Sequence, residues 1–157
     1  MRSWIDYSGE VVWEPDPSLI AQLVEAGQPF WLDIENPTDE LIDQLATHLG
    51  LHPLAVEDSK QFGRRAKLQV YPNGVMLVGF GLDEQLREPV EVHCYCTTGF
   101  LITLRRAPSL ALDALRQAGD PAAAWQRPDP SAASIDQLAL HPVLRTCPRA
   151  GRTARCT

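Results

Sequence analysis

Apolar residues recur at helical spacing in the first third of this chain and at alternate positions after it. Val11-Val12-Trp13 reads as a short strand. Asp16-Pro17-Ser18 then opens a helix, with a capping acid followed by a proline in the first turn. Leu19, Ile20, Leu23 and Val24 form its apolar stripe, and Gly27 closes it. Phe30-Trp31-Leu32-Asp33-Ile34 is a compact apolar strand. Asn36-Pro37-Thr38-Asp39-Glu40 starts a second helix, placing acids in the first turn, where the helix dipole favours them. Its buried stripe is Leu41, Ile42, Leu45, Ala46 and Leu49, and Gly50 ends it. A third, shorter helix is expected after His52-Pro53, carrying Glu57 and Asp58.

Beyond this point the period becomes two. Lys67 to Tyr71 and Val75 to Phe80 read as strands around Pro72-Asn73-Gly74, a hairpin signal because Asn-Gly tolerates positive φ. Glu91 to Thr97 and Phe100 to Leu104 form a second hairpin around Thr98-Gly99, and Leu110, Leu112, Ala114 and Leu115 predict a helix started near Ser109. Strands that first alternate with helices and later pair as hairpins predict an α/β fold, a mixed sheet flanked by helices.

Composition narrows the picture. A chain of 157 residues with 45% hydrophobic positions suits one globular core. Its 20 acidic residues outnumber its 14 basic ones, and such a surface repels phosphate backbones. Cationic ligands, not nucleic acid, are the expected partners. The longest uncharged stretch, Leu68 to Leu82, is interrupted by Pro72-Asn73-Gly74 and falls short of the roughly 20 apolar residues that cross a bilayer. The first residues carry no basic region leading into an apolar run, so the expectation is a soluble, cytoplasmic chain.

Most candidate chemistry is outweighed by ordinary structural use. Cys94 and Cys96 share one face of a strand beside Val92, which predicts two buried thiols; with Cys147 and Cys156 they offer no paired metal-ligand spacing. Gly79-Phe80-Gly81 lies in a strand with no helix opening after it, so it is not a phosphate loop. There is no G-x-S-x-G elbow and no H-E-x-x-H, and His48, His52, His93 and His141 show no ligand spacing, so an enzyme is not expected. His52 beside Pro53 reads as a helix-entry residue. Gly63-Arg64-Arg65-Ala66-Lys67 reads first as a solvated loop entering a strand, with an anion or subunit contact as the alternative.

One ordered set of segments goes further. Trp31-Leu32-Asp33, Asn36-Pro37-Thr38, Gly50-Leu51-His52-Pro53-Leu54, Glu57-Asp58, Glu91-Val92-His93 and Phe100-Leu101-Ile102-Thr103-Leu104-Arg105-Arg106 follow one another in an order and spacing that resemble the cytoplasmic domain of the CorA family of divalent-metal transporters. Relatives commonly carry a proline where this chain has Ala66. The resemblance covers residues 1 to 140 and implies an α/β/α sandwich. It also implies passive ion conduction by a homopentamer, gated by a regulatory intracellular metal site. Asp58, with Glu57 beside it, falls on the acid of that site, which would hold Mg²⁺, Co²⁺ or Zn²⁺ weakly and be completed by acids from a neighbouring subunit's stalk. Zinc transporters of the ZntB type share the architecture. Glu91, a strand acid of equal charge, has no expected role at the site.

The last residues differ in character. Residues 1 to 141 carry ten basic against twenty acidic groups, whereas Arg145, Arg149, Arg152 and Arg155 make the remainder purely basic. Residues 141–157 are expected to be a disordered tail. Residues 134–140 begin like the helix that the resemblance would extend into a stalk and then the membrane, so the change near His141 is what a lost reading frame or a truncated gene would produce. Two other classes stay open at this point: a free-standing module that binds a full-length transporter, and a nonfunctional fragment.

Overall fold

The chain opens with a strand that its apolar pattern does not announce. In the computed structural model, which describes residues 1–83, 85 and 88–117, β1 (Arg2–Tyr7) pairs antiparallel with β2 (Glu10–Trp13). Ser8 and Gly9 form the turn with φ of 53° and 79°, the positive pair that matches the twist of a two-residue hairpin. Trp4, Ile5 and Asp6 are consecutive and all buried. A strand covered on both faces does not alternate, which is why the sequence reading passed over it.

The elements that follow are where the apolar spacing puts them. Helix α1 (Pro17–Glu25) is capped by Asp16, whose carboxylate accepts the Ser18 N–H at 2.8 Å. Strand β3 (Phe30–Glu35) leads into α2 (Asp39–Leu49), capped by the Thr38 hydroxyl and closed by Gly50 in the left-handed conformation. Helix α3 (Pro53–Lys60) starts on His52, as expected: its ring nitrogen accepts the Leu54 N–H and the ring stacks on Tyr71. Then come β4 (Lys67–Tyr71), β5 (Gly74–Leu82), β6 (Pro89–Cys96), β7 (Phe100–Arg105) and α4 (Leu110–Gln117).

The seven strands form one sheet in the order β2-β1-β3-β7-β6-β5-β4, antiparallel throughout except for the central β3–β7 pair, which is parallel. Helices α1, α2 and α3 cover one face. Their Ile20, Leu23, Ile42, Leu45, Leu49, Ala55 and Val56 pack on Ile5, Leu32, Ile34, Met76, Val78, Ile102 and Leu104 of the sheet. Helix α4 covers the other, where Leu112 meets Trp4, Trp31, Val90, Val92 and Cys94. The expected α/β fold, a mixed sheet with helices on both sides, is the one observed.

Two local expectations need correction. The β4–β5 hairpin exists, but neither Asn73 nor Gly74 has a positive φ. Gly74 is needed for space: a Cβ there would lie 2.7 Å from the Cys96 carbonyl oxygen. Of the two thiols, Cys94 is buried and pushed up to about 12 by that burial, so it stays protonated, but Cys96 is only half-buried. The expected helix start at 134–140 and the expected basic tail at 141–157, with Cys147 and Cys156, lie outside the described residues.

Candidate functional site

Helix α3 is short, and its position depends on polar contacts as much as on its apolar side. Tyr95, rising from β6, donates its hydroxyl hydrogen to the Ala55 carbonyl and receives the hydroxyl of Ser59 at 2.5 Å. Both side chains are buried, so a phenol that would be costly to bury alone is satisfied by the helix it anchors. The hairpin adds a second anchor, since the Asn73 amide donates to the Gly50 carbonyl at 2.6 Å. Glu57 and Asp58 therefore sit on a helix held to β6 at Ala55 and Ser59, after a junction with α2 that the hairpin fixes at Gly50.

The two carboxylates differ in surroundings. Glu57 is exposed and joins none of the ion pairs among the described residues. Asp58 is half-buried and faces β4, where the Lys67 ammonium lies 2.5 Å from its Oδ2; the side chains are 17% and 28% exposed. Nearby, Lys60 in the last turn of α3 reaches back to Asp43 of α2 at 2.6 Å. Lys67 belongs to the basic stretch read as a solvated loop or an anion or subunit contact. Its partner is Asp58 of the same chain. No sequence signal joins residues nine apart across an irregular loop, so only the fold reveals the pair.

Glu91, read as an acid of bulk charge alone, holds the loop that precedes β4. Its carboxylate accepts the Gly63 N–H at 2.5 Å, the Arg64 N–H and a ring N–H of His93 at 2.7 Å. His93 is fully buried and stacks on Phe62, and the Arg106 guanidinium lies over the Phe62 ring 4.6 Å from its centroid. Burial pushes the imidazole below its ordinary value against the pull of Glu91. Burial alone would raise the Glu91 carboxyl, but the His93 and backbone donors overcome it and leave it below the carboxylate range.

Both shifts act in one direction with pH. A histidine depressed on folding contributes stability that is complete above its unfolded value, about 6.5, and is lost below it; a depressed carboxylate loses its contribution at still lower pH. The melting temperature should therefore fall as pH drops from 7 to 5, and His93→Gln should flatten this part of the profile. A flat wild-type melting profile over that interval would remove His93 from the account.

Across the sheet, on the α4 face, lies a deeper ionic group. Arg105 (3% exposed) forks onto Asp33 (1% exposed) through Nε and Nη2, while its Nη1 donates to Glu35 and the Ala107 carbonyl, each at 2.9 Å. Thr103 donates to Asp33 at 2.6 Å and accepts from the Trp31 indole at 3.0 Å. Burial pushes the Asp33 carboxyl up, with the guanidinium and the hydroxyl opposing the rise. Burial likewise works against the Arg105 charge, and Asp33 and Glu35 keep it protonated. Through these intrachain contacts the group holds β3, β7 and the approach to α4 together.

Among the described residues no three His, Cys, Asp or Glu side chains converge as a metal cage. Glu57 and Asp58 can offer oxygens from one helix, but a Mg²⁺ ion takes six and keeps water reluctantly shed. By themselves these two residues do not make a complete metal site. No helix of the described residues is long and apolar enough to cross a membrane.

Comparison with known proteins gives this arrangement its context. Residues 26–139 match the model of the family described as CorA-like Mg2+ transporter protein, a span that includes α3 and the whole Asp58–Lys67–Glu91 region. Two relatives are from Saccharomyces cerevisiae. Magnesium transporter ALR1 is 30% identical over 108 residues, covering 60% of this chain and 13% of its own length. Manganese resistance protein MNR2 is 35% identical over 60 residues, covering 36% of this chain and 6% of its own length. The chain thus spans a small part of these relatives. Among solved structures, the ZntB cytoplasmic domain from Vibrio parahaemolyticus superimposes with a TM-score of 0.54 at 20% identity, over 75% of this chain and 48% of that one, which is a likeness of fold. The family match spans well over half of the residues, from α1's end through all of the sheet but its first hairpin, and on that ground this chain belongs to the CorA-like Mg2+ transporter family.

Proposed function

We propose that residues 1–140 form the metal-sensing cytoplasmic domain of a CorA-like transporter, with 141–157 a separate basic tail. The observation that carries the reading is that α3, with an exposed Glu57 next to Asp58, lies inside the segment matching the family. In this reading Glu57 and Asp58 supply one side of a regulatory site for Mg²⁺ or Co²⁺, Zn²⁺ being the further candidate. The remaining acids come from a neighbouring subunit, in a homopentamer on the cytoplasmic side of the membrane. Metal between subunits offsets the mutual repulsion of their carboxylates and favours the closed arrangement; its loss frees the domains to move. The domain supplies sensing and no catalysis.

Titration of the full chain with Mg²⁺ and Co²⁺ in a calorimeter tests the half-site. Binding should be weak and saturable, because water must fill most of the coordination shell. The Glu57→Gln/Asp58→Asn pair should abolish it. Glu25→Gln, which removes an exposed acid at the end of α1, should leave it unchanged. Equal loss in both variants would mean that bulk negative charge, not a site on α3, attracts the ion.

A further inference from the structure

We infer that Lys67 is a tethered cation at the metal site: its ammonium occupies the Asp58 side, and a divalent ion gains Asp58 only by displacing it. This rests on the reading of Glu57 and Asp58 as metal ligands. The Lys67 Nζ lies 2.5 Å from Asp58 Oδ2, with both side chains less than a third exposed, so water screens the pair only in part. Lys67 is the first residue of β4 and is registered opposite the buried Val78, which in turn pairs with His93; the sheet therefore holds the root of its side chain under α3. The pair is not a stray surface contact between two mobile chains.

The chemistry of the two cations makes the exchange possible. An ammonium is a compact single charge on a flexible stem, with three donors and no demand for a coordination geometry. It neutralises one carboxylate where a half-site has no second one to offer. A divalent ion carries twice the charge but needs several oxygens, so it outcompetes the lysine once further carboxylates are brought against α3. The Lys67 side chain is 28% exposed, which leaves it a route to solvent without any movement of β4. It cannot turn inward, because the strand beside it presents the fully buried Val78 and the next strand the fully buried His93. Lys67 thus weakens metal binding by a lone domain and leaves tight binding to the assembled protein.

The chain has only two lysines, Lys60 and Lys67, and this makes the exchange visible without mutation. After reductive ¹³C-methylation, which preserves the charge, titration with Mg²⁺ should move the Lys67 methyl signal toward its solvent position. The Lys60 signal, held by Asp43, should stay in place. Lys67→Met should raise Mg²⁺ and Co²⁺ affinity by about tenfold or more, the worth of one charge-assisted hydrogen bond no longer to be broken. Lys67→Arg should not raise it, and Lys67→Met/Asp58→Asn should lose the gain; Lys67→Gln replaces methionine should that variant not fold. If Asp58→Asn weakens binding while Lys67→Met leaves affinity unchanged and the Lys67 signal stays still, the metal site stands and the tethered cation falls. If Asp58→Asn and Lys67→Met both leave metal binding unchanged, the metal reading itself is wrong, and the inference with it.

Discussion

Replacing Arg105 by methionine should cost about 3–5 kcal/mol of unfolding stability, the range for removing one partner of a buried ion pair. The substitution keeps apolar bulk, so the loss comes from charge. Asp33 is left 1% exposed with only the Thr103 hydroxyl to hold it, and the Ala107 carbonyl loses its donor at the entry to α4. Asp33→Asn in the same background should recover part of the loss, because an amide costs less to bury than an unpaired carboxylate. The pH dependence follows from the same burial. With the guanidinium gone, the Asp33 carboxyl in the folded state rises further above its unfolded value; its penalty is full at neutral pH and is relieved as falling pH protonates it. Urea unfolding of Arg105→Met at pH 7 and pH 5 should show the smaller deficit at pH 5. A deficit under about 1 kcal/mol at both would show that packing, and not the ionic group, joins β3 to β7.

Ile102→Ala should cost about 2–5 kcal/mol, by lost burial together with the cavity left behind. Ile102 lies 1% exposed on β7, paired in parallel register with Leu32, in the cluster that α1, α2 and α3 cover. Val70→Ala, on the edge strand β4 and 69% exposed, should change stability by less than about 0.5 kcal/mol. Denaturant midpoints of the two variants at constant m-value give the contrast, and a loss for Ile102→Ala no greater than for Val70→Ala would mean that the sheet is not packed as described.

Much of this protein follows from local chemistry. The caps at Asp16 and Thr38, the stop at Gly50, the entry at His52 and the hairpins of β4–β5 and β6–β7 each depend on residues within a few positions, so they are legible along the chain. The helical and alternating stripes likewise report which side of each element meets the core, and the ordered segments that resemble the family led to the same class as the family match. Strand β1 escaped because burial on both faces erases alternation.

Long-range pairings are a different matter. Lys67 meets Asp58, Glu91 meets Gly63 and Arg64, Tyr95 meets Ser59, and Arg105 meets Asp33 and Glu35, all between segments that share no periodicity. Charge and hydrogen-bonding capacity are properties of a residue, but partnership is a property of distance, and distance between separate elements is decided by sheet order and register. Hence the sequence alone determined the fold class and the helix that carries Glu57 and Asp58, whereas only the tertiary structure decided that one of these acids faces solvent and the other is held by a lysine of its own chain.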